Sequence, residues 1–277
     1  MNIKIRGNLF DLSSPKVMGI LNLTPDSFYD GGKFKKIKKI QNHVSKMMED
    51  GMDILDIGGC SSKPGAKRIS SKIEISRILP TLIHLRKTYP KLIISIDTFR
   101  SDVAKVCLNE GADIINDISS GELDEKMIEI ISDFNCPYII MHMRGNPQNM
   151  QKSPKYKDVV IEVINYLAKK VKIARDYGIV DLMVDTGFGF GKTIQHNYQL
   201  LNNLDKFKIL ETPILVGFSR KSMIYKTLKT NAENSLNGTT CLNTIALTKG
   251  ANILRVHDVK QAKECIILYE KTNNALI

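Results

Sequence analysis

Long apolar segments are missing from this chain of 277 residues. No uninterrupted apolar run approaches the roughly 20 residues that a membrane-spanning helix needs. The N-terminal stretch Met1 to Gly7 interleaves charged and apolar side chains, which is not the pattern of a signal peptide. We therefore expect a cytoplasmic protein without a membrane partner.

Cysteine is scarce and scattered, with five residues and no C-x-x-C pair. This odd number favours free thiols in a reducing compartment over a disulfide framework. No group of His, Cys and Glu has the spacing of a zinc site. The G-x-S-x-G elbow and the Ser-His-Asp arrangement of hydrolases are also missing, which argues against that nucleophilic chemistry.

Acidic residues are outnumbered, 29 against 40 lysines and arginines, which gives a net charge of +11. Such a balance permits nucleic-acid binding. The lysines are, however, spread over predicted helix faces. Their densest run, Lys33 to Lys39, contains Phe34 and Ile37 and is typical of the start of an amphipathic helix. We therefore expect small anionic ligands and no nucleic acid.

What the chain does have is a repeated unit of strand, polar cluster, helix and glycine turn. Gly51, Gly111 and Gly250 each stand where a helix should end and directly precede an apolar strand, a position that favours a residue with positive φ. Before the first unit, the segment Ile3 to Leu12 around Gly7-Asn8 predicts a small hairpin. We expect this hairpin to close the bottom of the fold.

Eight continuous apolar runs are the predicted strands: Val17–Leu21, Ile54–Ile57, Leu92–Ile96, Ile114–Ile118, Tyr138–Met141, Leu182–Val184, Ile214–Gly217 and Ile253–Val256. Continuous rather than alternating apolarity is typical of parallel strands that are covered on both faces. Eight such units predict a TIM (β/α)8 barrel, with residues 1–277 as a single domain. A doubly wound open sheet is the alternative, but its glycine-rich fingerprint is missing after the first strand.

Polar residues follow the predicted strands, at the barrel end where active sites lie. In chain order they are Asn22, Asp56, Asp97, Asn116 with Asp117, His142 with Arg144, Asp185, Ser219 to Lys221, and Arg255 with His257. Carboxylates and amides dominate the earlier strands and cations the last two. This division predicts a ligand with a hydrogen-bonding heterocyclic end and an anionic end.

The last strand gives the clearest anion site, because Arg255 and His257 stand two positions apart and so point the same way. The segment Gly217 to Ser222 leads into a helix, whose N-terminal N–H groups would receive a carboxylate or phosphate. Asn22 has two interpretations. Its side-chain carbonyl either caps a turn or gives one oxygen to Mg²⁺, with phosphate and water supplying the rest.

Together these segments resemble the dihydropteroate synthases of the pterin-binding enzyme family. The matching segments are Met18 to Gly32, Asp56 to Gly59, Ile96 to Thr98, Ile115 to Asp117, Asp185 to Lys192, Gly217 to Ser222 and Arg255 to Asp258. The resemblance implies that a hydroxymethyl-dihydropterin diphosphate condenses with p-aminobenzoate and releases diphosphate. It also implies Mg²⁺ and a homodimer formed through helices far from the pocket.

The resemblance also implies roles for individual residues. The pterin would be held by Asp97, Asn116, Met141, Asp185, Lys221 and Arg255. The diphosphate would be bound by Asn22 through Mg²⁺, and by Ser62, Lys63, Arg255 and His257. The p-aminobenzoate pocket would be formed by Phe28, Ser62, Pro64, Phe190, Lys221 and Ser222, with Asp30 ordering the first loop. The catalytic group would consist of Asp97, Asp185, Lys221, Arg255 and His257.

The chain departs from this family at the loop after the second barrel strand. Where the family usually has Glu-Ser-Thr-Arg-Pro-Gly, this chain has Cys60, Ser62 and Lys63 in place of Glu, Thr and Arg. Lysine keeps the charge of arginine but loses its bidentate geometry toward phosphate. Two rival functions remain open at this point: a methyltransferase of the same fold, and a pterin-binding barrel that has lost catalysis.

Overall fold

The computed structural model describes residues 1–24, 33–61, 65, 69–151 and 154–275. Four of the predicted site residues, Phe28, Ser62, Lys63 and Pro64, lie outside the described residues, as does Asp30. Among the helices described, none is long and apolar enough to cross a bilayer.

The central feature is a closed barrel of eight parallel strands. Around the barrel the strands are β3 (Lys16–Asn22), β4 (Ile54–Gly58), β5 (Ile93–Asp97), β6 (Ile114–Asp117), β7 (Tyr138–Met141), β8 (Leu182–Asp185), β9 (Ile214–Val216) and β10 (Ile253–Val256). The last strand closes the barrel by pairing with the first, with Arg255 opposite Met18. The TIM-barrel prediction is confirmed, and each strand lies within one or two residues of its predicted position.

Helices cover the outside of the barrel. They are α1 (Lys33–Glu49), α2 (Ser71–Thr88), α3 (Ser101–Asn109), α4 (Met127–Phe134), α5 (Val159–Asp176), α6 (Ile194–Asn202), α7 (Ser222–Tyr225), α8 (Leu236–Thr248) and α9 (Val259–Asn274), with a 3₁₀ helix at Leu204–Leu210. Their apolar stripes face the strands, as Val44 on α1 and Leu167 on α5 show by being fully buried. On α1, Met47 is buried, whereas the neighbouring Met48 is 37% exposed.

The N-terminal hairpin closes the bottom of the barrel. Strands β1 (Asn2–Ile5) and β2 (Asn8–Asp11) are antiparallel, and the turn between them places both Arg6 and Gly7 at positive φ. Ile3, Ile5 and Leu12 are buried against the lowest inward-facing layer of the barrel. The predicted hairpin and its plugging role are therefore confirmed.

Inside the barrel, an apolar layer lies below a polar one. Strand residues two positions apart face the same side, so each strand contributes to both layers. Ile253 of the apolar layer is followed by Arg255, and Ile54 by Asp56. The remaining pairs are Ile114 with Asn116, Ile139 with Met141, Met183 with Asp185, and Leu215 with Gly217. The barrel thus has a dry floor and a polar mouth.

Candidate functional site

Arg255 is the centre of the polar layer. Its Nε donates to Asp56 Oδ2 at 2.7 Å, and its Nη2 donates to Asp97 Oδ2, also at 2.7 Å. Asn116 Nδ2 donates to the same Asp56 oxygen at 3.1 Å. The guanidinium therefore connects β10 to β4 and β5, and Asp56 extends this connection to β6.

Burial and the neighbouring charges shift the pKa values of the residues in this cluster. Burial raises the pKa of Asp97 to about 7; the positive charge of Arg255 opposes that rise and the nearby Asp56 adds to it. For Arg255, burial lowers the pKa, but the two carboxylates outweigh this effect and hold it above the ordinary value. The guanidinium is therefore a permanent cation, whereas Asp97 can exchange a proton near neutral pH.

Asp185 and Lys221 form the other side of the mouth. Asp185 is 7% exposed, and its Oδ1 accepts from Gly187 N–H at 2.7 Å. Burial raises the pKa of Asp185, against the lowering effect of Lys221. Lys221 Nζ donates to Phe188 O at 2.6 Å and lies 4.7 Å from the centre of the Phe190 ring. A carboxylate and an ammonium thus lie beside an aromatic ring at one edge of the cavity.

An apolar cluster borders the same mouth. It consists of Ile118, Met141, Met143, Met150 and Phe190, with Phe99 and Leu123 packed against it. Met141 is the last residue of β7 and contributes an apolar side chain to the polar layer. A flat heterocycle that contacts this cluster would present its polar edge to the carboxylates.

His257 and Ser222 lie on the side of the mouth where β9 and β10 end. The Nδ1 of His257 is 3.2 Å from Ser219 Oγ, and its backbone N–H donates to the same hydroxyl. Ser222 is the first residue of α7, which has only four residues. The helix that we predicted as an anion-binding terminus is therefore a single turn, too short to contribute a large dipole.

Four polar strand-end residues do not point into the mouth, and one of them, His142, is buried edge-on against Tyr166. Asp117 faces outward and accepts from Tyr138 Oη at 2.7 Å and from Ser119 and Gly121 N–H groups. Arg144 is exposed and stacks on Tyr156. Arg220 forms a two-bond ion pair with Asp258. Successive residues at a strand end point to opposite sides, so a polar residue there reaches the mouth only in the inward register.

Comparison with known proteins finds relatives over nearly the whole chain. The Pterin binding enzyme family matches residues 18–257. The dihydropteroate synthase of Escherichia coli strain K12 is 41% identical over 278 residues, covering 99% of this chain and 98% of that protein. The chain belongs to the dihydropteroate synthases of the pterin-binding enzyme family. It is therefore a transferase of folate biosynthesis.

Solved dihydropteroate synthases have the same fold. The Yersinia pestis enzyme, solved as a sulfonamide drug complex, superposes with a TM-score of 0.92 at 38% identity, covering 99% of this chain and all of that one. The Xanthomonas albilineans enzyme, solved with 4-aminobenzoic acid, gives 0.91 at 34% identity over 98% of each chain.

Cys60, the family departure that the structure describes, lies beside a buried ion pair. Glu74 on α2 is fully buried and pairs with Arg100, whose Nη2 also donates to Ile69 O at 2.6 Å. Burial raises the pKa of the Cys60 thiol, and the negative charge of Glu74 adds to the effect. Cys60 is therefore a neutral thiol in this dihydropteroate synthase, and a carboxylate from α2 stands close to it.

The side chain of Asn22 fits a magnesium ion only when the substrate supplies further ligands. Its Oδ1 lies across Gly58 from Asp97: a Cβ built on Gly58 would be 3.5 Å from that oxygen and 3.8 Å from Asp97 Oδ2. Among the described residues, no three His, Cys, Asp or Glu side chains gather into a metal cage. One hard amide oxygen beside a carboxylate fits Mg²⁺, which commonly completes its shell with phosphate and water.

Sequence reasoning gave no role to two residues of the site. Asp56 appeared among the strand ends, yet only the closed barrel brings it to Arg255 and Asn116. Lys192 ended the resembling segment after β8, and the structure buries it to 3% exposure, with its Nζ 2.9 Å from His142 Nδ1. Each bonds only to residues distant in sequence or to loop carbonyls, so no local spacing identifies it.

Proposed function

We propose that this enzyme condenses 6-hydroxymethyl-7,8-dihydropterin diphosphate with p-aminobenzoate to give 7,8-dihydropteroate and diphosphate. The observation that carries the proposal is the convergence of Arg255, Asp97 and Asn116 with Asp185 and Lys221 at one barrel mouth. A carboxylate that is held by one N–H keeps lone pairs for the amino and ring N–H groups of a pterin. We assign this contact to Asp185.

The remaining pterin contacts follow from the two halves of the mouth. Asn116 and Asp97 offer amide and carboxyl groups to the ring edge, while Met141 contacts its face. Lys221 contributes a cation beside Phe190, and Arg255 covers the ring from the β10 side. These assignments are supported by the position of each side chain in the inward layer.

The diphosphate would lie at the side of the mouth that carries the cationic side chains. We assign Arg255 and His257 to it, together with Ser62 and Lys63 from the loop after β4. Asn22 would hold Mg²⁺, which supplies positive charge to the leaving diphosphate when bound. For the aminobenzoate we assign Phe28, Ser62, Pro64, Phe190, Lys221 and Ser222.

We infer an SN1-like substitution. Diphosphate leaves from a methylene on a conjugated ring, so positive charge delocalises into the pterin. Asp56, Asp97 and Asp185 lie at the mouth that would receive this ring, and carboxylates placed there stabilise a developing cation. The attacking aromatic amine is neutral near pH 7, which removes the need for a strong base. Asp97, Asp185, Lys221, Arg255 and His257 form the proposed catalytic group.

The deciding experiment measures diphosphate release with each substrate alone and with both. Release that requires both substrates supports the proposal. Methyl transfer from a folate to a corrinoid would instead indicate the methyltransferase of this fold. Pterin binding without any release would indicate a barrel that has lost catalysis.

The stepwise mechanism has its own test. Crystals soaked with pterin diphosphate and Mg²⁺, but without aminobenzoate, should lose diphosphate and retain a pterin without it. Intact pterin diphosphate after a long soak would contradict the stepwise route while leaving the overall reaction in place.

We also propose that residues 1–277 form one domain, that the enzyme works in the cytoplasm, and that it is a homodimer. Pairing between β10 and β3 supports a single unit. All five cysteines are free thiols, which suits a reducing compartment. Helix α8 contains no charged residue and exposes Ile245, which suits a subunit interface.

A further inference from the structure

The ammonium group of Lys192 is enclosed by four acceptors at the end of β8. Its Nζ lies 2.9 Å from Gly187 O, 3.0 Å from Phe190 O, 3.2 Å from His142 O and 2.9 Å from His142 Nδ1. The residue is 3% exposed. All four acceptors are uncharged, so this buried charge is solvated by dipoles rather than by a directly bonded anion.

The contact with His142 fixes the state of that ring. An ammonium has three protons and no lone pair, so the nitrogen facing it must accept. Nδ1 is therefore unprotonated, and the proton of the neutral ring is on Nε2. The ring is buried edge-on against Tyr166, with 4.9 Å between ring centres, and burial lowers the pKa of His142 to about 2.

The backbone of the loop at residues 186–191 is held almost entirely by side chains. Gly189 O accepts from Gln151 Nε2 at 2.6 Å, and Gly191 O accepts from Tyr156 Oη at 2.8 Å. Phe188 O accepts from Lys221, and the carbonyls of Gly187 and Phe190 accept from Lys192. Lys192 thus accounts for two of these five anchors.

The two carbonyls that Lys192 holds belong to residues that serve different substrates. Gly187 N–H donates to Asp185 Oδ1, so fixing Gly187 fixes the carboxylate assigned to the pterin. Phe190 carries the ring assigned to the aminobenzoate pocket. Gly187 is also pressed against β7, since a Cβ there would be 1.9 Å from His142 O.

We propose that Lys192 is a positioning residue, held by neutral His142, that aligns the pterin-binding carboxylate and the aminobenzoate-facing ring through one buried ammonium. This inference rests on the proposed function for what Asp185 and Phe190 bind. Lys192 touches neither substrate. It acts by holding the backbone on which both groups are mounted.

A first experiment compares Lys192→Met with Lys172→Met. Methionine has similar length without charge or donors, and Lys172 is an exposed lysine on α5. We expect Lys192→Met to raise the KM for both substrates at least tenfold, with a smaller change in kcat, and Lys172→Met to match the wild type. A folded Lys192→Met with unchanged KM values overturns the proposal, even if its Tm is lower.

A second pair of variants decides the matter if Lys192→Met does not fold. In His142→Asn the amide oxygen replaces Nδ1 as acceptor, whereas His142→Leu removes the acceptor. We expect His142→Asn to retain KM values closer to the wild type than His142→Leu does. Equal KM values for the two variants overturn the role of His142 in holding the ammonium.

The histidine tautomer provides a readout that does not depend on activity. Nitrogen-15 spectra at pH 6, where most of Lys192 is protonated, should show His142 with unprotonated Nδ1 and protonated Nε2. The other tautomer, or a cationic ring, overturns the geometry. If the wild type releases no diphosphate, the proposed function fails, and this spectrum still tests the contact between Lys192 and His142.

Discussion

Asp56 uses its two carboxylate oxygens very differently. Oδ2 accepts from Arg255 and from Asn116, while Oδ1 is buried without a hydrogen-bond partner among the described residues. A buried carboxylate with one bare oxygen is costly. Its retention is explained by its position, because it fixes a cation and an amide that belong to strands on opposite sides of it in the barrel.

Replacing Asp56 with Asn should weaken its contacts with both Arg255 and Asn116. The amide removes the ion pair with Arg255 and keeps the shape, and a hydrogen bond to a charged group is worth about 1.5–3 kcal/mol. We expect kcat/KM for the pterin diphosphate to fall roughly 10- to 100-fold, since about 1.4 kcal/mol is a factor of ten. Steady-state kinetics with the aminobenzoate saturating would measure this.

Asp117→Asn is the matched control, because Asp117 is equally buried but bonds to Tyr138 and to loop N–H groups outside the mouth. It should lower Tm and leave the KM for pterin diphosphate near the wild-type value. A similar fall in kcat/KM for pterin diphosphate in both variants would show that the Asp56 effect reflects a general loss of stability.

Lys63 gives a second prediction at the residue scale. An arginine can bind phosphate through two parallel N–H groups, and lysine binds as a single point charge. Lys63→Arg should therefore lower the KM for pterin diphosphate several-fold and strengthen inhibition by diphosphate. Lys172→Arg, at an exposed lysine of α5, serves as the control. Unchanged diphosphate inhibition in Lys63→Arg would mean that residue 63 does not contact the leaving group.

At the scale of elements, the residues that stabilise the barrel floor and the residues of the candidate site lie at opposite ends of the strands. The hairpin of β1 and β2 covers the dry floor, and Asp113 joins it to α2 by accepting from both Arg6 and Arg86. The polar layer lies at the opposite end of the same strands. A change in the hairpin should therefore alter folding without altering the site.

Leu12→Ala tests that separation. Leu12 is fully buried in the floor, and removing such a side chain from a core costs about 2–5 kcal/mol. We expect urea unfolding to show a loss in that range and kcat/KM to stay near the wild-type value for protein that remains folded. Leu9→Ala in the same hairpin removes a 75% exposed leucine and should cost little. Equal losses for the two variants would mean that the hairpin does not plug the barrel.

At the scale of the whole molecule, two buried lysines make stability and activity respond oppositely to pH. Burial lowers the pKa of Lys192 to about 7 and that of Lys221 to about 8, from an ordinary 10.5. Asp185 faces both groups and opposes the shift, while Arg255 adds to it at Lys221. At these two lysines, the folded chain thus binds fewer protons than the unfolded chain above about pH 7.

Because fewer protons are bound at the two lysines in the folded chain, their contribution to the free energy of unfolding should rise between about pH 7 and 9. Over the same range kcat/KM should fall, because it reports the free enzyme and the cations at the mouth are being lost. Above about pH 9 the buried thiols of Cys107 and Cys136, whose pKa values burial raises to about 12, contribute to stability in the opposite direction. Urea unfolding and kinetics at matched pH values would check both slopes. A kcat/KM that rises from pH 7 to 9 would contradict the requirement for ammonium groups.

The proposed homodimer can also be tested on the whole molecule. Light scattering should give twice the 31.2 kDa of one chain. Ile245→Glu places a charge on the uncharged surface of α8 and should shift the mass toward that of one chain. Ile209→Glu, on the 3₁₀ helix and 74% exposed, should leave the dimer intact. A wild type with the mass of a single chain would contradict the proposal.

Much of this architecture could be predicted, because continuous apolar runs and glycine turns are local patterns. The strands Tyr138–Met141 and Ile253–Val256 match their predicted bounds. The sequence did not predict which strand-end residues face the inside of the barrel. Asp117 and Arg220 had the same local pattern as Asp185, yet they serve loops and an ion pair.

By itself, the sequence determined the repeated units, their number and the end of the barrel that carries polar groups, since these depend on periodicity and on short-range turn preferences. Only the tertiary structure decided that Arg255 binds Asp56 and Asp97, and that Lys192 is buried against His142. Those contacts join residues far apart in the chain, and they exist only after barrel closure fixes strand register and excludes water from the charges.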